Sequence, residues 1–123
     1  MELKIKLTEN FELGEFACRC CGMLKYNLRM ALLLEDLEKL RKYTGPLTIV
    51  SGYRCPKNNT RAGGAIDSQH LQALAADLSA EGITPQQLAV LVKKYCRNIT
   101  GIGVGQSKFH VDVRPGPRRE WTY

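Results

Sequence analysis

An α+β domain is the fold class this sequence predicts, on three observations. An amphipathic helical pattern occupies residues 26–43, a second helix with good capping chemistry starts at Thr84, and short apolar runs of strand character lie between and after them. With 123 residues, 44% of them hydrophobic and 24% charged, the chain has the size and composition of one domain that buries its own core, which excludes a disordered or coiled-coil protein.

The opening Met1-Glu2-Leu3-Lys4-Ile5-Lys6-Leu7 alternates apolar with charged residues and lacks the apolar block and cleavage site of a signal peptide. Synthesis and folding in a cytoplasm are therefore expected, with any export by another route. In the first helix Leu28, Ala31, Leu32, Leu37 and Leu40 follow a three-and-four spacing, Glu35, Glu38, Lys39 and Lys42 take the wet side, and Gly45-Pro46 stops it. Residues 47–50 read as a short buried strand. Residues 51–67, rich in Gly, Asn, Pro and Ser, read as a long loop, and loops of that length in a compact domain are usually functional.

Residues 73–79 are apolar except for Asp77 and predict a strand. Thr84 can cap the next helix, Pro85 suits its first position and Gln87 completes a capping box; the helix should run to about residue 97 and bury Leu88, Leu91, Val92 and Tyr95. After the glycines at 101, 103 and 105, residues 109–113 alternate strictly. His110 and Asp112 share one face of that strand, while Phe109, Val111 and Val113 share the other.

The net charge of +6 favours anionic partners, but the basic residues are scattered apart from a small cluster at 114–119. No helix-turn-helix, RNP-type or zinc-finger spacing points to nucleic acid. The longest apolar run, around residues 30–34, is far short of a membrane span. Five cysteines, an odd count, argue against a simple disulfide framework. A thiolate metal site or a disulfide joining some of Cys18, Cys20, Cys21 and Cys55 is one reading, although the spacing is no recognised zinc-finger pattern; free thiols and small buried hydrophobes are the other.

The chain holds two histidines, and each has an aspartate near it inside an otherwise apolar element. A carboxylate in such a strand is costly to bury unpaired, and either a metal or an arginine would offset the cost. Imidazole and carboxylate together suit zinc, whose catalytic sites use three protein ligands. The seven-residue separation of His70 from Asp77 would set them on opposite faces of one strand, so His70 should precede the strand in a turn.

Ser51-Gly52-Tyr53-Arg54, Asn58-Asn59, Gly63-Gly64, Ser68-Gln69-His70 with Ala75-Ala76-Asp77, Gly101-Ile102-Gly103 and Phe109-His110-Val111-Asp112-Val113-Arg114 resemble the zinc D-Ala-D-Ala carboxypeptidase family, peptidase M15. The similarity is closest to its small single-domain branch, frequent in phages and prophages, and the 10–16 opening and Trp121 extend it over nearly the whole chain. The resemblance implies one zinc peptidase domain over residues 1–123, with a hedgehog/DD-peptidase-like fold in which helices flank a small antiparallel sheet. It implies zinc ligands at His70, Asp77 and His110, an oxyanion-facing and substrate-binding Arg54, and a substrate contact at Ser68. Related peptidases often carry an acid three residues before the last histidine, where this chain has Ser107, so the general base falls to Asp112, or else to Glu120. Where the family usually has glycine, three residues after the first histidine, this chain has Ala73. The expected activity is hydrolysis of peptidoglycan stem peptides, as a carboxypeptidase or an endopeptidase, by a monomer acting at the bacterial cell wall, with neither nucleic acid nor membrane as partner. The alternative is a non-catalytic, zinc-containing wall-binding or structural module on the same fold.

Overall fold

The computed structural model describes residues 4–123; Met1, Glu2 and Leu3 of the alternating opening lie outside the described residues. A small hairpin of β1 (Lys6–Thr8) and β2 (Phe11–Glu12) leads into the single helical turn α1 (Leu13–Phe16). The long helix α2 (Met30–Thr44) then begins four residues later than the periodicity predicts: the chain first makes a turn in which Asn27 Oδ1 accepts the Met30 amide at 3.1 Å, and Arg29 is the N-cap. The buried stripe also differs. Met30, Leu33, Leu34, Leu37 and Leu40 face the core, whereas Leu28 is 89% exposed and Ala31 is exposed. Residues 30–34 are apolar at every position, so the three-and-four rule admits either stripe, and packing chose between them.

Strand β3 (Leu47–Ser51) follows, and the predicted loop after it contains a short helix, α3 (Pro56–Arg61), started by Pro56. A 3-10 turn (Gln69–Gln72) precedes β4 (Ala75–Ala80). Helix α4 (Pro85–Tyr95) carries the predicted capping box, with Thr84 Oγ1 accepting the Gln87 amide and the Gln87 side chain accepting the Thr84 amide. Its core contacts are Leu88, Ala89 and Val92, with Leu91 and Tyr95 half-buried. Strands β5 (Gly101–Val104), β6 (Phe109–Asp112) and β7 (Arg119–Thr122) complete the chain.

The main sheet has the order β3-β4-β6-β5-β7. Its first four strands pair antiparallel, and β7 joins the edge parallel to β5. One face carries Leu78, Val111, Phe109 and Ile102 into a core completed by α2 and α4. Buried Asp36 on α2 fastens that packing by accepting the Asn98 and Ile99 amides at 2.7 and 2.9 Å. The opposite face carries Asp77, His110 and Asp112. No helix of the described residues is long and apolar enough to cross a membrane.

Candidate active site

Strand register brings the polar residues together. Asp77 on β4 pairs with His110 on β6, which pairs with Gly103 on β5; one row along, Ala75, Asp112 and Gly101 line up in the same way. The glycines clear the space: a Cβ at Gly101 would overlap the Asp112 carboxylate, and one at Gly103 would come within 2.6 Å of the Trp121 indole nitrogen. His70 arrives from the 3-10 turn, as the seven-residue spacing predicts. Ser68 caps that turn, its hydroxyl accepting the His70 amide at 3.2 Å.

Each histidine is oriented from behind. His70 Nδ1 lies 2.7 Å from the Gly52 carbonyl oxygen, which can only accept, so that nitrogen carries the proton and Nε2 presents a lone pair. His110 Nε2 lies 2.8 Å from Asp112 Oδ2, and Arg114 grips the same carboxylate with Nε at 2.8 Å and Nη2 at 2.6 Å. Asp112 therefore stays ionised and accepts, which leaves a lone pair on His110 Nδ1. Both lone pairs converge on Asp77 Oδ1, from His70 at 3.2 Å and from His110 at 3.0 Å.

Three acceptor atoms facing one point repel unless a proton or a cation lies among them. With no cation present the histidines supply that proton: burial would raise the Asp77 pKa, but hydrogen bonds donated by His110 and His70 in their protonated forms hold it well below the usual carboxylate range. Burial acts likewise on Asp112, and Arg114 and His110 hold it equally low. Desolvation pushes His110 down, and the bonds to Asp112 and Asp77 more than reverse this, so its pKa stands above 6.5. The donor set fits zinc: two imidazole nitrogens and one carboxylate oxygen within 4.8 Å of one another, each histidine backed by a second acceptor.

A cleft of about 290 Å³ opens over this cluster, with Arg54, Ser68, His70, His110, Arg114 and Trp121 in its wall. Arg54 is nearly buried and donates to Asp77 Oδ2 at 3.0 Å, to Ser51 at 3.1 Å and to Asn59 at 3.4 Å, so it is both the ion-pair partner of Asp77 and part of the cleft surface. With five N–H donors and three of those bonds formed, it keeps donors for a substrate oxygen.

Glu120 falls elsewhere. Neighbouring residues of β7 point to opposite sides, so Trp121 packs 5.4 Å from the His110 ring while Glu120 pairs with Lys93 of α4 at 2.9 Å. Ser107 is exposed in the turn between β5 and β6. The sequence reading did not single out Arg114 or the Gly52 carbonyl. For Arg114 a signal existed: the alternation that puts His110 and Asp112 on one face continues to residue 114.

A family model described as Peptidase M15 matches residues 9–113. The chain belongs to the peptidase M15 family. No curated protein gives a significant match. M15 peptidases are in general zinc-dependent hydrolases, and His70, Asp77 and His110 form a cluster in this chain that could hold a metal ion. The match ends at Val113, so Arg114 and the aromatic wall of β7 lie beyond the matched residues.

Proposed function

We propose that this M15 peptidase is a zinc enzyme that cuts peptide bonds in bacterial peptidoglycan stem peptides. The observation that carries the reading is the convergence of His70 Nε2, His110 Nδ1 and Asp77 Oδ1 on one point at the floor of a cleft. Zinc held there would supply a Lewis acid and bring the pKa of a water toward neutrality.

The chain's own residues do the rest. The Gly52 carbonyl and Asp112 fix the tautomers of the two histidines, and Arg114 keeps Asp112 charged. Asp112 is fully buried with its oxygens taken by His110 and Arg114, so its role here is to position His110 rather than to accept a proton from water. The proton acceptor then is Asp67, the one acid among the described residues of the cleft wall. Arg54 places its remaining N–H donors where an oxyanion would develop, and Ser68 presents its hydroxyl beside it.

Charge supports a carboxylate-ended substrate. Arg54 and Arg114 balance Asp77 and Asp112, so a bound dication makes the centre net positive, and Lys108 stands in the same wall. That field suits the C-terminal end of a stem peptide, and the chain's +6 suits an anionic wall. The enzyme works as a monomer at the cell wall.

Metal analysis of wild type and His110→Ala, with peptidoglycan digestion measured on the same samples, tests the reading. The variant should lose one zinc per chain and all digestion. Zinc in the wild type without digestion of peptidoglycan or a D-Ala-D-Ala peptide would instead make this a wall-binding module.

A further inference from the structure

A second convergence of ligand atoms lies away from the cleft. The sulfurs of Cys18, Cys21 and Cys55 sit within 4.8 Å of one another, and all five cysteines of the chain are free thiols. Two thiolates on one tetrahedral zinc, with Zn–S bonds of about 2.3 Å, stand about 3.8 Å apart, so the cluster needs only small side-chain movement to close on an ion.

The run of cysteines conceals its spacing because Cys20 interrupts it. Residues 18–22 turn back on themselves: the Gly22 amide donates to the Cys18 carbonyl at 2.8 Å, the Cys18 amide donates to the Met23 carbonyl at 2.8 Å, and Gly22 takes a φ of 73° that favours glycine. The result is a Cys-x-x-Cys-Gly turn with the sulfurs of Cys18 and Cys21 on one side. Cys20 stands outside it, its sulfur turned to Arg61 at 3.9 Å. The third sulfur comes from a distant segment. Cys55 precedes α3, and its amide donates to Cys18 Sγ at 3.3 Å, the kind of contact that favours thiolate over thiol.

We propose that Cys18, Cys21 and Cys55 form a thiolate site for a zinc ion, separate from the histidine centre, that clamps residues 16–24 to residues 52–55. The three thiols release their protons on binding, and the fourth corner faces solvent on the exposed Cys21 side. The clamped segment is the one that serves the cleft: Gly52 orients His70, Arg54 holds Asp77, and the Tyr53 amide donates to the Phe16 carbonyl at 2.8 Å between them. This inference stands apart from the peptidase reading, since it requires neither catalysis nor the histidine ligands.

Cobalt titration of the reduced full chain tests it. Thiolate ligation gives an intense near-ultraviolet charge-transfer band that cobalt on histidine and carboxylate lacks. The band should appear in wild type, disappear in Cys18→Ser and Cys55→Ser, and persist in Cys20→Ser and Cys96→Ser. If the serine variants fail to fold, alkylation of the native wild type decides. With zinc bound, exposed Cys21 is protected and becomes reactive after chelation, while exposed Cys20 reacts in both states. The absence of the band, a band that survives Cys55→Ser, or equal reactivity of Cys21 with and without zinc would overturn the site.

Discussion

The two faces of the main sheet are made from the same strands and are equally dry, yet they are held together by opposite means. On β6, Phe109 and Val111 face the helices while His110 and Asp112 face the cleft, and none is more than 6% exposed. On the apolar side each residue is fixed by many weak contacts, so shape and volume matter and no single partner is indispensable. On the polar side each residue is fixed by a few directional contacts to named atoms. Burial alone does not separate an active centre from a core. The room made for polar groups does: Ile102 fills the helical side of β5, whereas Gly101 and Gly103 leave room on the cleft side for the Asp112 carboxylate and the Trp121 ring.

The contrast can be broken or sharpened by four experiments. Phe109→Ala should give the largest effect, a loss of about 3–5 kcal/mol in stability by chemical denaturation, with zinc affinity of the folded fraction unchanged. A parallel fall in affinity would show that the faces are not independent. Arg54→Ala should lower kcat by about 10²–10³-fold with zinc retained; loss of zinc instead would make its ion pair with Asp77 its main task. Asp112→Asn should weaken zinc binding by about 10–100-fold, whereas Asp67→Asn should slow turnover at full zinc occupancy. The reverse pattern would return the proton-accepting role to Asp112.

The smallest effect is a pH dependence with opposite signs in the two metal states. His110 has a raised folded pKa, so its contribution to metal-free stability is complete below its ordinary 6.5 and is lost as pH rises through the raised value. Asp77 and Asp112 are depressed, so theirs is present above the ordinary 3.8 and lost as pH falls toward their folded values. The chelated protein should therefore melt highest between about pH 4 and 6.5. Zinc needs neutral imidazole, so its stabilisation should fade below about pH 6. Melting curves across pH 4–8, with and without chelator, read both trends, and a zinc effect that persists at pH 5 would count against histidine ligation.

Much of this was legible in sequence because the signals were local. The capping box at Thr84, the alternation through His110 and the seven-residue step from His70 to Asp77 each translate directly into geometry. What stayed hidden depends on packing. The choice of stripe on α2 is undetermined where five apolar residues run together, and α3 lies inside a segment whose Gly, Asn and Pro content reads as loop. The Gly52 carbonyl comes behind His70 only through tertiary packing, and the parallel addition of β7, which turns Trp121 to the cleft and Glu120 away from it, has no local signature.

Ala73 closes the 3-10 turn that carries His70, and it does so in the left-handed region, with φ at 57° and ψ at 29°. A Cβ there costs about 1 kcal/mol, yet that same methyl lies in the core at 1% exposure, where burying such a group returns about 0.8 kcal/mol. The two quantities nearly cancel. Alanine at this position therefore closes the turn at little net cost to the fold, and the histidine it follows keeps its place at the end of a buried apolar contact.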